Sequence, residues 1–276
     1  MAYFDVFGIR TPGKGVEKKE YTPRFPLFFE ILWRKLWMIC KTNLLHLLCS
    51  LPIIFFMWLG YATVCTGELA TLKAVLYLTV CTIYMAVVGF GVIMPGLTFL
   101  TRSYAREKHV WIFSDYKDKV VECIKQSSIL FVIDALLIYL ASVGIAFYGT
   151  LAQQSKIVYI PLGFLAACLL IYFMMHFYIY PIMTTFDLGF GAVLKNSLIM
   201  TIAHFPRNLI ILIIVSTLSF VLYLFNITIG LTIAVAVGIT ILSYFINFMA
   251  DPIIDRYLYI PAETIAEREK EDKKLQ

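Results

Sequence analysis

Six long apolar stretches decide what this chain can fold into. They fall at about 43–62, 74–97, 127–150, 157–181, 208–225 and 228–249. Each approaches the ~20 residues that a helix needs to cross ~30 Å of hydrocarbon. Lipid offers no water to backbone N–H and C=O groups, so a spanning segment must satisfy them internally, as a helix does. Composition agrees. Of 276 residues, 61% are hydrophobic and 15% charged, and the mean hydropathy is +0.83. A soluble domain is about half apolar and about a quarter charged, and its surface-to-volume ratio leaves no room to bury so much apolar surface. The sequence therefore predicts an all-α polytopic membrane protein with six transmembrane helices. It excludes a soluble enzyme, a secreted disulfide scaffold and a nucleic-acid-binding domain.

The basic residues predict an orientation. Of the 23 Lys and Arg, only Lys73 and Lys156 fall in the connections on one side of the six stretches; the rest lie on the other side. Basic loops stay in the cytoplasm, so both termini are expected there, in a multi-pass protein of the cell membrane. Residues 1–26 form a polar extension without the apolar core of a secretory leader. Residues 27–250 form the transmembrane domain and 258–276 a charged tail. Only Asn226 and Ile227 separate the last two stretches, which predicts a tight helical hairpin. The six cysteines show no metal or redox spacing and read as small apolar side chains.

The chain also suggests an internal repeat. Phe29 to Lys41 places Phe29, Leu32, Trp33, Leu36 and Trp37 at three- and four-residue spacing, the pattern of a helix lying in the membrane interface. Segments 113–125 and 188–204 precede the third and fifth stretches in the same way. The junctions match: Lys41-Thr42-Asn43, Lys125-Gln126-Ser127 and Arg207-Asn208. The returning stretches reach Pro95, Pro181 and Pro252, with Thr98, Thr184 and Asp255 three residues on. Three parallel hairpin units are expected, at 27–100, 111–186 and 187–257, each led by a cytoplasmic interfacial amphipathic helix.

Phe28-Phe29-Glu30-Ile31-Leu32-Trp33-Arg34-Lys35, Thr42-Asn43-Leu44-Leu45, Leu51-Pro52-Ile53 and Pro95-Gly96-Leu97-Thr98-Phe99-Leu100-Thr101-Arg102 are followed by Arg106-Glu107-Lys108-His109-Val110-Trp111 and Phe113-Ser114-Asp115-Tyr116. Together these resemble the YesL family of bacterial integral membrane proteins, best up to Lys125. Members are often encoded beside carbohydrate-uptake ABC transporters. The resemblance implies a role around sugar uptake, with transporter subunits as partners. It brings no site residues with it.

Charged side chains inside spans are costly and mark functional sites. Asp134 lies about seven residues past Ser127, roughly 10 Å deep at 1.5 Å per residue. His46, His176 and Asn43 fall at a similar depth. These four are the candidate polar cavity. Arg102, Arg106 and Lys108 are expected to meet anionic headgroups or a partner, and Trp33 and Trp37 to sit at headgroup level. His109 and His204 lie on cytoplasmic segments and read as interface residues. No catalytic motif, phosphate-binding glycine loop or metal spacing occurs, so no cofactor and no metal is expected.

The first expectation is a non-enzymatic protein accessory to, or regulating, carbohydrate (oligosaccharide) uptake, with membrane lipids and sugar-transporter subunits as partners and no nucleic acid. The alternative is a small secondary transporter or channel with a cytoplasm-facing polar cavity. An intramembrane enzyme comes third, because no nucleophile or metal site is displayed.

Overall fold

The computed structural model describes residues 24–67, 69–152 and 155–258. The extension and the charged tail therefore lie almost wholly outside the described residues. Those residues are helical, without a strand. Five helices are long and apolar enough to cross a membrane, or six if one bent pair counts as a single span.

Proline placement explains most breaks. Helix α1 (Arg24–Cys49) and α2 (Leu51–Val64) meet at Ser50 with a bend of 75°. Pro52 lacks an N–H and crowds the preceding turn, and Ser50 turns its hydroxyl back to the His46 carbonyl at 2.7 Å. Helix α3 (Ala70–Val87) stops before the expected end of the second stretch. Gly89, at φ +55, lets the chain turn there, and Pro95 opens α4 (Met94–Ala105). Pro206 opens α8 (Phe205–Phe225), separating it from α7 (Phe190–Ala203). Pro181 and Pro252 are instead held inside α6 (Tyr159–Thr185) and α10 (Ile239–Leu258). The three prolines thus do not mark equivalent span ends.

The expected interfacial helices also need correction. Segment 113–125 and the third stretch are one helix, α5 (Ile112–Ala152), 41 residues long. Gln126-Ser127-Ser128 contains nothing that breaks a helix, so the ladder runs through. Segment 29–41 likewise continues without a break within α1. Only the third lead segment, α7, is separate. Helix α4 also runs past residue 100, where the first unit was expected to end. The tight hairpin does appear. Asn226 is extended and accepts from Ile229 N at 3.1 Å, capping α9 (Ile227–Ile233). A π turn, Ala234–Gly238, joins α9 to α10.

At the centre, α4, α6 and α10 pack on one another. Tyr104, Tyr178, Tyr180, Tyr244, Leu97 and Leu100 are fully buried there. Around them, α5 packs on α4, α7 on α6, α1 on the π turn and α10, and α3 on α8. The outward faces carry Val132, Leu136, Phe164, Ile210 and Leu218, all exposed. Water-facing surfaces rarely gather apolar residues this densely; lipid-facing ones do. Trp33 is 81% and Trp37 71% exposed. Of the described cysteines only Cys123 is buried, and Cys168 is exposed.

Candidate functional site

The C-terminal ends of α4 and α6 and the first third of α5 line a cleft of about 710 Å3. Phe99, Arg102, Ser103 and Arg106 come from α4, Lys119, Glu122 and Gln126 from α5, and Thr184 and Thr185 from α6. Lys108, His109, Phe186 and Asp187 complete the rim. Lys119 sits 5.2 Å above the Phe99 ring and 2.6 Å from Glu122. Its walls thus combine aromatic faces with donors and acceptors of both charges.

An ion cluster adjoins the cleft: Arg102 and Arg106 line it and pair with Asp251 and Asp255. The Arg102 side chain is 5% exposed and its partner Asp251 12%. Arg102 Nε donates to Asp251 Oδ1, and Nη1 donates to Thr185 Oγ1 and to the Pro181 carbonyl. Arg106 grips Asp251 with a fork, Nε to Oδ2 at 2.8 Å and Nη2 to Oδ1 at 2.7 Å, and reaches Asp255 at 2.5 Å. Two guanidinium groups face two carboxylates, which limits the cost of burying charge. Arg102 Nη2 makes no hydrogen bond and stands 3.6 Å from Asp255. Arg102 and Arg106 are therefore not headgroup contacts, as the sequence suggested; they join α4 to α10 and α6. Lys108 remains at the rim.

Asp134 and His176 do meet. Asp134, 2% exposed, holds Oδ1 2.5 Å from the Tyr172 hydroxyl and 3.2 Å from His176 Nε2. Asp134 Oδ2 has no hydrogen-bond partner.

His46 and Asn43 do not join this pair. His46 Nδ1 lies 3.0 Å from the Tyr116 hydroxyl, linking α1 to α5. Asn43 serves the π turn: its amide donates to the Val235 carbonyl at 2.7 Å and the Ala234 carbonyl at 3.2 Å, while its oxygen accepts from Thr240 N at 2.9 Å. A π turn shifts the backbone ladder by one residue, and Asn43 bonds the groups that the shift releases. The four candidates thus divide into one pair and two structural braces.

A polar stripe was missed. Ser243, Asn247, Asp251 and Asp255 recur every four residues along α10, one face of a helix. Thr98, Thr101 and Arg102 face them from α4: Asn247 Nδ2 donates to Thr101 Oγ1 at 3.0 Å. The spacing of four was the available signal. It was hidden because the apolar run ends near residue 249, which places Asp251 outside the span.

Among the described residues, no group of three or more His, Cys, Asp or Glu is arranged to hold a metal ion. No family model, curated protein or solved structure matches the chain.

Proposed function

We propose that the protein is a non-enzymatic, small secondary transporter or channel of the bacterial cytoplasmic membrane, with both termini cytoplasmic, that takes a small polar solute at the cleft. One observation carries this reading. Arg102 and Arg106 line the cleft, and inward of them α4 and α10 carry the buried polar side chains Thr98, Thr101, Ser243 and Asn247; polar groups inside a membrane bundle often mark solute or ion pathways. Uptake of mono- and oligosaccharides and of small ions by proteoliposomes tests it. Arg106→Ala, in the cleft lining, should lower flux at least tenfold; absence of any flux from correctly folded protein argues against transport.

The three-unit arrangement belongs to the same proposal. Mutual packing of α4, α6 and α10 supports it, as does the burial of Asn43, Ser127 and Asn208 at matching junctions. Spin labels at these three positions should report one common depth. Depths differing by more than a helical turn would remove the unit reading.

A second reading is an accessory to, or regulator of, carbohydrate uptake, partnered by membrane lipids and sugar ABC transporter subunits. The exposed aromatic residues Trp33, Trp37, Trp111 and Phe113 favour it, because they offer a contact surface near the basic end. Co-purification from native membranes is its test, and recovery of no transporter subunit would count against it.

A further inference from the structure

The central helices α4, α6 and α10 pack on one another, and one ion cluster ties their C-terminal ends. Arg102 on α4 donates to Asp251 on α10, and to Thr185 Oγ1 and the Pro181 carbonyl on α6. Four residues before Arg102, Thr185 and Asp251, about one turn inward, stand Thr98, Pro181 and Asn247. All three line a gap of about 10 Å3 between the helices, together with His176, Tyr180 and Ser243. A gap of that size holds about one water at most. The cluster thus sits one turn outward, on all three helices, of a closed gap lined partly by polar groups.

Two of the three helices carry a proline at this level, Pro181 inside α6 and Pro252 inside α10. A proline has no N–H, so each interrupts its helix ladder, and helices bend most readily at such points. Helix α4 has its proline at its start and runs uninterrupted through Arg102. Beyond the two prolines, Ile182, Ile253 and Ile254 are buried, so apolar packing and the cluster together hold the ends of α6 and α10 in place.

Buried ion pairs add little net stability over apolar packing; their best-attested use is to select one arrangement among several. Switching proteins break and remake such pairs as packed elements move. The outer side of this cluster is within reach of water. Arg106 lines the cleft, and the Arg106 and Asp255 side chains are 20% and 44% exposed. Water can therefore take over their bonds when the helix ends part.

We propose that this cluster is a latch hinged at Pro181 and Pro252. Closed, it holds the ends of α6 and α10 against α4 and shuts the gap. Open, the segments beyond the two prolines swing away from α4 and admit water to Thr98 and Asn247. The latch is the basic-end gate of the transport reading and rests on that reading for what passes through it. Its movement is measured without any solute, so a fixed latch and an absence of flux are separate results.

The test measures spin-label distances in the full chain in bilayers, with native cysteines replaced by Ser or Ala. Exposed Lys117 on α5 is paired with exposed Arg256 on α10, and with exposed Asp187 just past α6. Ile160, at the start of α6, and Val235, in the π turn, are exposed and form the control pair. With the latch intact, one distance should dominate in each latch pair. Arg106→Gln should raise the share of a longer distance at least fivefold in both latch pairs and leave the control pair unchanged. Asp255→Asn breaks the same cluster at its more exposed carboxylate, should act in the same direction more weakly, and decides the matter if Arg106→Gln does not fold. Pro181→Ala with Pro252→Ala, added to the cluster variant, should lower the longer-distance share at least fivefold. Helical content and elution profile check that each variant folds. The proposal is overturned if neither cluster variant lengthens the latch distances, if the control pair lengthens with them, or if the longer distance persists without the prolines.

Discussion

Asp251 is the residue on which the buried charge turns, because it takes hydrogen bonds from both Arg102 and Arg106. Asp251→Ala would leave Arg102 buried against no carboxylate except the 3.6 Å approach of Asp255. Breaking a buried pair in this way costs about 3–5 kcal/mol, readable as a fall in unfolding free energy in detergent. Asp255 is 44% exposed, so Asp255→Ala should cost no more than about 1 kcal/mol. His204, at the start of α8, gives a pH signature. Its pKa is pushed below the usual 6.5 by burial first, then by Arg207 and Arg256. A lowered pKa means that the folded state favours the neutral ring. That contribution is full above about pH 6.5 and is lost as pH falls through the lowered value. His204→Gln should therefore flatten the acid side of the stability profile, measured by melting temperature against pH. Asp134 and His176 were legible as intramembrane polar residues at similar depth. Their contact was not, because depth along the chain says nothing about the direction in which each helix faces. Asp251 was hidden by its position just past the apolar run.

At the scale of elements, helix breaks were only partly legible: the expected stretch 43–62 runs straight through Pro52, where the chain bends by 75°. Pro52, Pro95 and Pro206 each stand at a helix start. Pro181 and Pro252 resemble them in sequence but stay within helices, because packing of α6 and α10 holds both sides of each proline together. The π turn at Ala234–Gly238 had no sequence signal of its own; it is met by Asn43 from a distant helix. Asn43→Leu should lose its three bonds and leave buried backbone groups unpaired, costing about 2–4 kcal/mol at roughly 1 kcal/mol or more per group. Gly230 shows how close the α8–α9 hairpin is. A Cβ there would stand 2.6 Å from the Leu222 carbonyl oxygen and 2.7 Å from the Tyr223 ring. The backbone oxygen cannot move aside cheaply, so Gly230→Ala should destabilise the protein by about 1–3 kcal/mol. Thermal unfolding of both variants checks these values.

On the scale of the whole molecule, apolar stretches and charge placement were enough to predict an all-helical, multi-pass protein. They could not show which helices touch. The central contact of α4, α6 and α10 depends on side-chain shape and on matched polar stripes, and those emerge only when helices are rotated into place. Once they are, the ion cluster beside the cleft continues inward along α4 and α10 through the hydrogen bond from Asn247 to Thr101. Accessibility of substituted cysteines tests that continuity most directly. Native cysteines are first replaced by Ser or Ala, and Thr98→Cys, Asn247→Cys and lipid-facing Val132→Cys are then probed with a small, charged, membrane-impermeant thiol reagent. Our account predicts that Thr98→Cys and Asn247→Cys react when the reagent is applied at the basic end and not from the opposite face, while Val132→Cys stays inert. Inert Thr98→Cys and Asn247→Cys, or reaction only from the opposite face, would contradict it.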